Sequence, residues 1–253
     1  MHIRNVPALD ARYWVAISLA SVFGANTGDF VSHILGLGHM RGLPLLAAIF
    51  TVILLLERRT RSGTDAYYWL AIVTLRTAAT NLADLATHDL HLSYRRVLAG
   101  LGTLLLLILF TGRASSAPPT ANGRQTAPQG LPATDTRYWA AMLTAGTLGT
   151  ALGDFAAGGL GLAQSAVIFS TILAVVLVLR SRAELKTKLV YWLAIVVVRT
   201  AGTNLADFLA GKGGLNLGLV VSTTITGLLL LSVVLLGNRL PAMRRARGIT
   251  PPG

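Results

Sequence analysis

The sequence predicts an all-α integral membrane protein with eight transmembrane helices, built as four tandem two-helix repeats in two pseudo-symmetric four-helix halves, both termini cytoplasmic. Three observations carry this expectation. The composition is too apolar for water, one motif recurs four times at fixed spacing, and the basic residues gather on one side of the implied topology.

The chain of 253 residues is 53% hydrophobic and only 13% charged, with a positive mean hydropathy. That leaves too little polar surface to coat a water-soluble domain. Several apolar stretches approach the roughly 20 residues a helix needs to cross about 30 Å of hydrocarbon, whereas a membrane β-barrel alternates in segments of about 10. A net charge of +12 would suggest nucleic acid in a soluble protein. Here the cations sit between apolar segments, so the expected partner is the lipid bilayer and not nucleic acid. The absence of cysteine excludes disulfides and thiolate metal or redox chemistry. The N-terminal segment leads directly into a helix carrying Asn26 and Asp29 with no small-residue cleavage site, so a cleaved signal peptide is not expected.

The four tryptophans are Trp14, Trp69, Trp139 and Trp192; each follows a tyrosine and stands fifteen residues before an aspartate, Asp29, Asp84, Asp154 or Asp207. Four copies of YW-x14-D that use every tryptophan mark one duplicated unit. The repeats run over 11–59, 65–113, 135–182 and 187–239. The second and fourth are closest, YYWLAIVTLRTAATNLADL against VYWLAIVVVRTAGTNLADF, and they alone carry an arginine within the motif, Arg76 and Arg199. The chain therefore divides into a first membrane half, 1–113, and a second, 135–253, that ends in a basic cytoplasmic tail. Residues 114–134, rich in Pro, Ala, Ser and Thr, read as a flexible linker.

Each repeat supplies a first helix opening at its Tyr-Trp and a plainer second one, expected near 35–56, 94–110, 163–179 and 215–237. Asp10, Asp65 and Asp135, four residues before their Trp, are expected to cap the first three inner helices. Sorting loops by side places sixteen Lys and Arg on the side of the termini and four on the other, with two more inside helices. The positive-inside rule then puts both termini in the cytoplasm.

These features resemble a bacterial family of uncharacterised integral membrane proteins made of four tandem two-helix repeats of unknown function, each with a characteristic tryptophan. The matching residues are the four Trp, the small residues Gly24, Ala79, Gly149 and Gly202, and the four Asp. The resemblance covers 11–239 without the linker. Some repeats of that family read Gly-Glu before the Asp, where this chain has Ala25, Thr80, Thr150 and Thr203. The resemblance implies a multi-pass protein of the bacterial cytoplasmic (inner) membrane and no particular activity.

At 1.5 Å per residue each Asp lies about 22 Å along its helix from the Trp, too deep for a surface charge if Trp marks the interface. A carboxylate there must face protein or water. Small residues at i, i+4, such as Gly24-x3-Gly28 and Gly149-x3-Gly153, allow close helix approach, which predicts the four first helices at the centre. Beside the aspartates stand Asn26, Asn81 and Asn204 at i, i+3, with Thr150 next to Asp154. Two readings compete: interhelical hydrogen bonding, or a cavity that binds a cation. Arg76 and Arg199 are too far from the Asp of their own helix, so aspartates or carbonyls of neighbouring helices are their expected partners.

Asp29 with His33 and Asp84 with His88 stand at i, i+4, a spacing able to hold a divalent metal; the alternative is that the histidines mark helix ends. His39 and His91 fall on the same side. No catalytic triad order, phosphate loop, HExxH or haem-attachment sequence is present, so neither an enzyme nor a resident cofactor is expected. The expected function is a transporter of a small cation, a divalent metal ion as substrate or a proton-coupled solute, through the four aspartates. The alternatives are a non-transporting scaffold with structural Asp–Arg pairs, or an anion or small-solute symporter using Arg76 and Arg199.

Overall fold

Each Tyr-Trp pair opens a helix. These inner helices are α1 (Ala11–Asp29), α3 (Ala66–Asp84), α5 (Thr136–Leu160) and α7 (Lys188–Ala210). Between and after them run the outer helices α2 (Gly38–Arg59), α4 (Tyr94–Phe110), α6 (Leu162–Ser181) and α8 (Leu219–Ala246). The structure, a computed structural model, describes residues 3, 6–60, 64–111, 132, 134–181, 188–211 and 213–246, without the side chains of 180, 181, 188 and 238–246. The expected linker 114–134, apart from 132 and 134, lies outside the described residues. So do many of the cations used to assign topology, those of 112–131, 182–187 and 247–253 among them.

Among the described residues every regular element is helical, and α2, α6, α7 and α8 hold stretches long and apolar enough to cross a membrane. α4 has 17 residues, and α1, α3 and α5 carry the polar residues of the motif. The outer helices display Leu45, Ile49, Val52, Leu106, Phe110, Val167, Val178, Leu228 and Leu236 on their exposed faces. A helical protein with this much apolar surface is membrane-like, because water would not tolerate it.

The inner helices close a ring, α1 against α3, α3 against α5, α5 against α7 and α7 against α1. Each outer helix packs principally on the inner helix of the following repeat: α2 on α3, α4 on α5, α6 on α7, and α8 back on α1. The sequence of an outer helix does not say which neighbour covers it. Small residues let the ring close tightly. A Cβ on Gly24 would stand 2.7 Å from Cβ of Arg76, and one on Gly149 would collide with Arg199, whose backbone lies at 3.0 Å. Gly28 against Thr80 and Gly153 against Thr203 repeat the relation one turn on.

Three expectations are corrected. Asp10 and Asp135 cap their helices, each accepting at 2.9 Å from the backbone N–H of Tyr13 or Tyr138. Asp65 does not. Its backbone is not extended, and its carboxylate instead accepts from the Trp69 indole at 3.1 Å and pairs with Arg12 at 3.3 Å. The tryptophans are not interfacial anchors, since all four are buried. Each packs edge-on against the tyrosine before it, with ring centroids 5.0 to 5.3 Å apart. Finally, α1 and α3 end in π-helical turns, Phe30–Ile34 and Leu85–Asp89, just after their aspartates, which delays α2 to Gly38.

Candidate functional site

The buried centre follows a four-residue spacing from each tyrosine. On α3 it reads Tyr68, Ile72, Arg76, Thr80 and Asp84; on α7, Tyr191, Ile195, Arg199, Thr203 and Asp207. α5 supplies Tyr138, Met142, Gly146, Thr150 and Asp154, and α1 supplies Tyr13, Ile17, Ser21, Ala25 and Asp29. All but three of these twenty positions, Asp29, Asp154 and Asp207, are buried. A spacing of four drifts about 40° per step on a helix of 3.6 residues per turn, so the stripe is the i±4 ridge along which tightly crossing helices meet. The ring axis is thus layered: phenols, an apolar layer, arginines, threonines, then carboxylates.

The phenol layer is a closed square. Tyr13 meets Tyr68 at 3.1 Å, Tyr68 meets Tyr138 at 2.6 Å, Tyr138 meets Tyr191 at 3.2 Å and Tyr191 returns to Tyr13 at 2.8 Å, hydroxyl to hydroxyl. Each phenol can donate to one neighbour and accept from the other, so four buried hydroxyls are satisfied without water. Sequence reasoning used these tyrosines only as markers of the repeat. The signal was their fixed position sixteen residues before each Asp.

Arg76 is a hub. Its guanidinium donates to Thr80 at 3.2 Å, Thr150 at 2.5 Å and Thr203 at 2.5 Å, and to the carbonyls of Ser21 at 3.2 Å and Arg199 at 3.4 Å. It therefore ties all four inner helices. Asp29, Asp154 and Asp207 lie within electrostatic range but not within ion-pair distance. Of the two expected partner types, carbonyls of neighbouring helices are found, at Ser21 and Arg199. Hydroxyls take the place of aspartates because three of the four helices present a threonine one turn below the arginine layer. Arg199 occupies the same register of α7 and is equally buried, yet among the described residues its guanidinium reaches only Met142, Nη2 to Sδ at 3.9 Å.

The four aspartates converge. Asp29 feels the charges of Asp207 and Asp84, and Asp154 those of Asp207, Asp84 and Asp29. Asp84 is the most buried of the four; the other three are partly exposed. Among the described residues none of them pairs with an arginine. Imidazoles stand nearest among the described residues: His39 Nε2 lies 3.9 Å from Asp84 and His88 Nδ1 lies 3.6 Å from it. His39 also contacts Asp89 at 3.1 Å through Nδ1, so it bridges Asp84 to the exposed end of the second π turn.

The candidate metal set Asp29, His33, Asp84 and His88 is only partly assembled. Asp84 and His88 meet as the spacing predicted, whereas His33 lies against His39, with ring centroids 5.7 Å apart. Among the described residues no group of three or more His, Asp or Glu has metal-holding geometry. His39 and Asp89 were missed as neighbours of Asp84 because they come from the start of α2 and the π turn, whose approach no helical spacing reveals.

The asparagines do not join the aspartates. Asn26 donates to Ser222 of α8 at 2.7 Å, Asn81 accepts from Ser32 at 3.0 Å and Asn204 accepts from Ser165 of α6 at 2.6 Å. The third repeat tests this reading within the molecule: Ala151 replaces the asparagine, and Val97 of α4 packs there in an apolar cluster. Asn26 and Asn204 hold outer helices to the ring, and Asn81 holds the π turn that follows α1.

No curated protein and no solved structure matches the chain. A family model described as Repeat of Unknown Function matches residues 12–62, 137–186 and 190–239. These stretches coincide with the first, third and fourth copies of the Tyr-Trp unit whose aspartates meet on the axis. Together they cover more than half of the sequence, and the chain belongs to this family of repeats of unknown function (DUF347).

Proposed function

We propose that the protein crosses the membrane eight times, with both termini cytoplasmic and its halves pseudo-symmetric, and carries a small cation through a central site made by Asp29, Asp84, Asp154 and Asp207. The observation that carries this reading is the convergence of four carboxyl groups that, among the described residues, no arginine pairs. Four carboxyl groups share this end of the axis with, among the described residues, one buried guanidinium within their electrostatic range, Arg76, which suits the vestibule to protons, metal ions or organic cations. His39 and His88 beside Asp84 add imidazole nitrogens, which can ligate or hydrogen-bond, to the same end of the axis. On the Trp side the phenol square and the apolar layer seal the axis, and this supports a state closed toward the cytoplasm.

The scaffold alternative required Asp–Arg pairs across the ring, and Arg76 instead spends its donors on threonines and carbonyls. The test is flux in proteoliposomes with protons, sodium, potassium, magnesium, manganese and zinc offered in turn. Asp84→Asn and Asp207→Asn are each expected to reduce flux at least tenfold while the protein remains folded. Wild-type flux no faster than that of empty liposomes for every cation would overturn the reading.

A further inference from the structure

Arg199 has no counterpart to the hub around Arg76. Its side chain is 1% exposed, and among the described residues its Nε and Nη1 atoms have no hydrogen-bond partner. Nη2 touches only the weak acceptor Met142 Sδ. Helical side chains lean toward the N-terminus, and Arg199 follows that tendency, so its tip lies in the apolar layer of Met142. All four tyrosines of the square are within its electrostatic range. A guanidinium sealed from water with three N–H groups unused is strongly unfavourable unless something accepts from them.

We infer that Arg199 and the phenol square form a binding site for one small monovalent anion of the halide class. An anion accepting from Nε and Nη1 neutralises the buried charge, and a phenol that rotates out of the square adds an O–H donor. The apolar walls Ile17, Ile72 and Ile195 penalise strongly hydrated or divalent anions, which favours bromide, chloride or nitrate over sulfate. Met142 stands where the other three inner helices carry isoleucine, and its unbranched, flexible chain can yield room. This inference does not rest on the cation reading, whose site lies at the opposite end of the axis.

The test uses the full chain in detergent, with thermal unfolding followed as sodium bromide replaces sodium gluconate at constant ionic strength. The expected result is a saturable rise in melting temperature, since a ligand that binds only the folded state stabilises it by mass action. Sulfate should not reproduce it. Arg199→Met should abolish the response, and Tyr68→Phe should weaken apparent bromide affinity about tenfold through loss of one donor to a charged group. Wild-type crystals grown in bromide should show anomalous scattering at Nε and Nη1 of Arg199, a readout that stands even if Arg199→Met fails to fold. A bromide response equal to that of gluconate, a response that survives in Arg199→Met, or water alone at the guanidinium would each overturn the inference.

Discussion

Arg76 and Arg199 occupy the same position of the repeated unit, eight residues after a tyrosine and eight before an aspartate, and both lie against a glycine of the neighbouring inner helix. Their surroundings nonetheless differ. Arg76 reaches toward the carboxylate end into three threonines and two carbonyls. Arg199 reaches toward the phenols into a layer of aliphatic side chains. Both cannot fill one central space, so a duplicated residue is given two roles. One arginine holds the ring together, and the other carries a charge that the ring does not satisfy.

The comparison breaks most sharply on truncation. Arg76→Met should cost about 3 kcal/mol, because it removes a charged donor serving four helices. Arg199→Met in halide-free buffer should be neutral or stabilising, as replacement of an uncompensated buried charge by an apolar side chain often is. Thermal or denaturant unfolding of both variants in the same detergent decides it, and equal losses would erase the proposed difference.

The glycines facing the two arginines sharpen it at smaller scale. Gly149→Ala meets the Arg199 backbone, which cannot yield, and should cost about 2–3 kcal/mol. Gly24→Ala meets the Arg76 stem, Cγ at 2.6 Å, and should cost somewhat less because part of that stem can shift. The order of the two melting temperatures is the check. The smallest effect concerns the outer contacts. Asn204→Ala alone should cost about 1 kcal/mol, and adding Ser165→Val should recover most of it, since Ala151 and Val97 already make that apolar contact elsewhere in the same molecule.

How far this was legible in the sequence differs by residue. The inner helices begin two or three residues before the Tyr-Trp pairs, and the aspartates meet at one end of them, as the fixed spacing required. Asp65 was misassigned because capping depends on backbone dihedrals that a four-residue offset does not specify. The asparagines were placed with the aspartates because i, i+3 neighbours share a helix face. At a ring of inner and outer helices, however, that face spans two environments, and 60° of rotation separates the axis from an outer helix. His39 was legible as lying on the same side as His33 and His88, but its approach to Asp84 depends on where α2 begins.

By itself the sequence determined the repeat, its register, the apolar character of the outer helices and the four carboxylates at one depth. All of these follow from periodicity along a single chain and from the cost of polar groups in hydrocarbon. Only the tertiary structure decided that each outer helix packs on the next repeat, that four phenols close a square, and that equivalent arginines point to opposite ends of the axis. Those outcomes depend on which helices become neighbours and on competition for one central space, and neither is encoded in the spacing of any one helix.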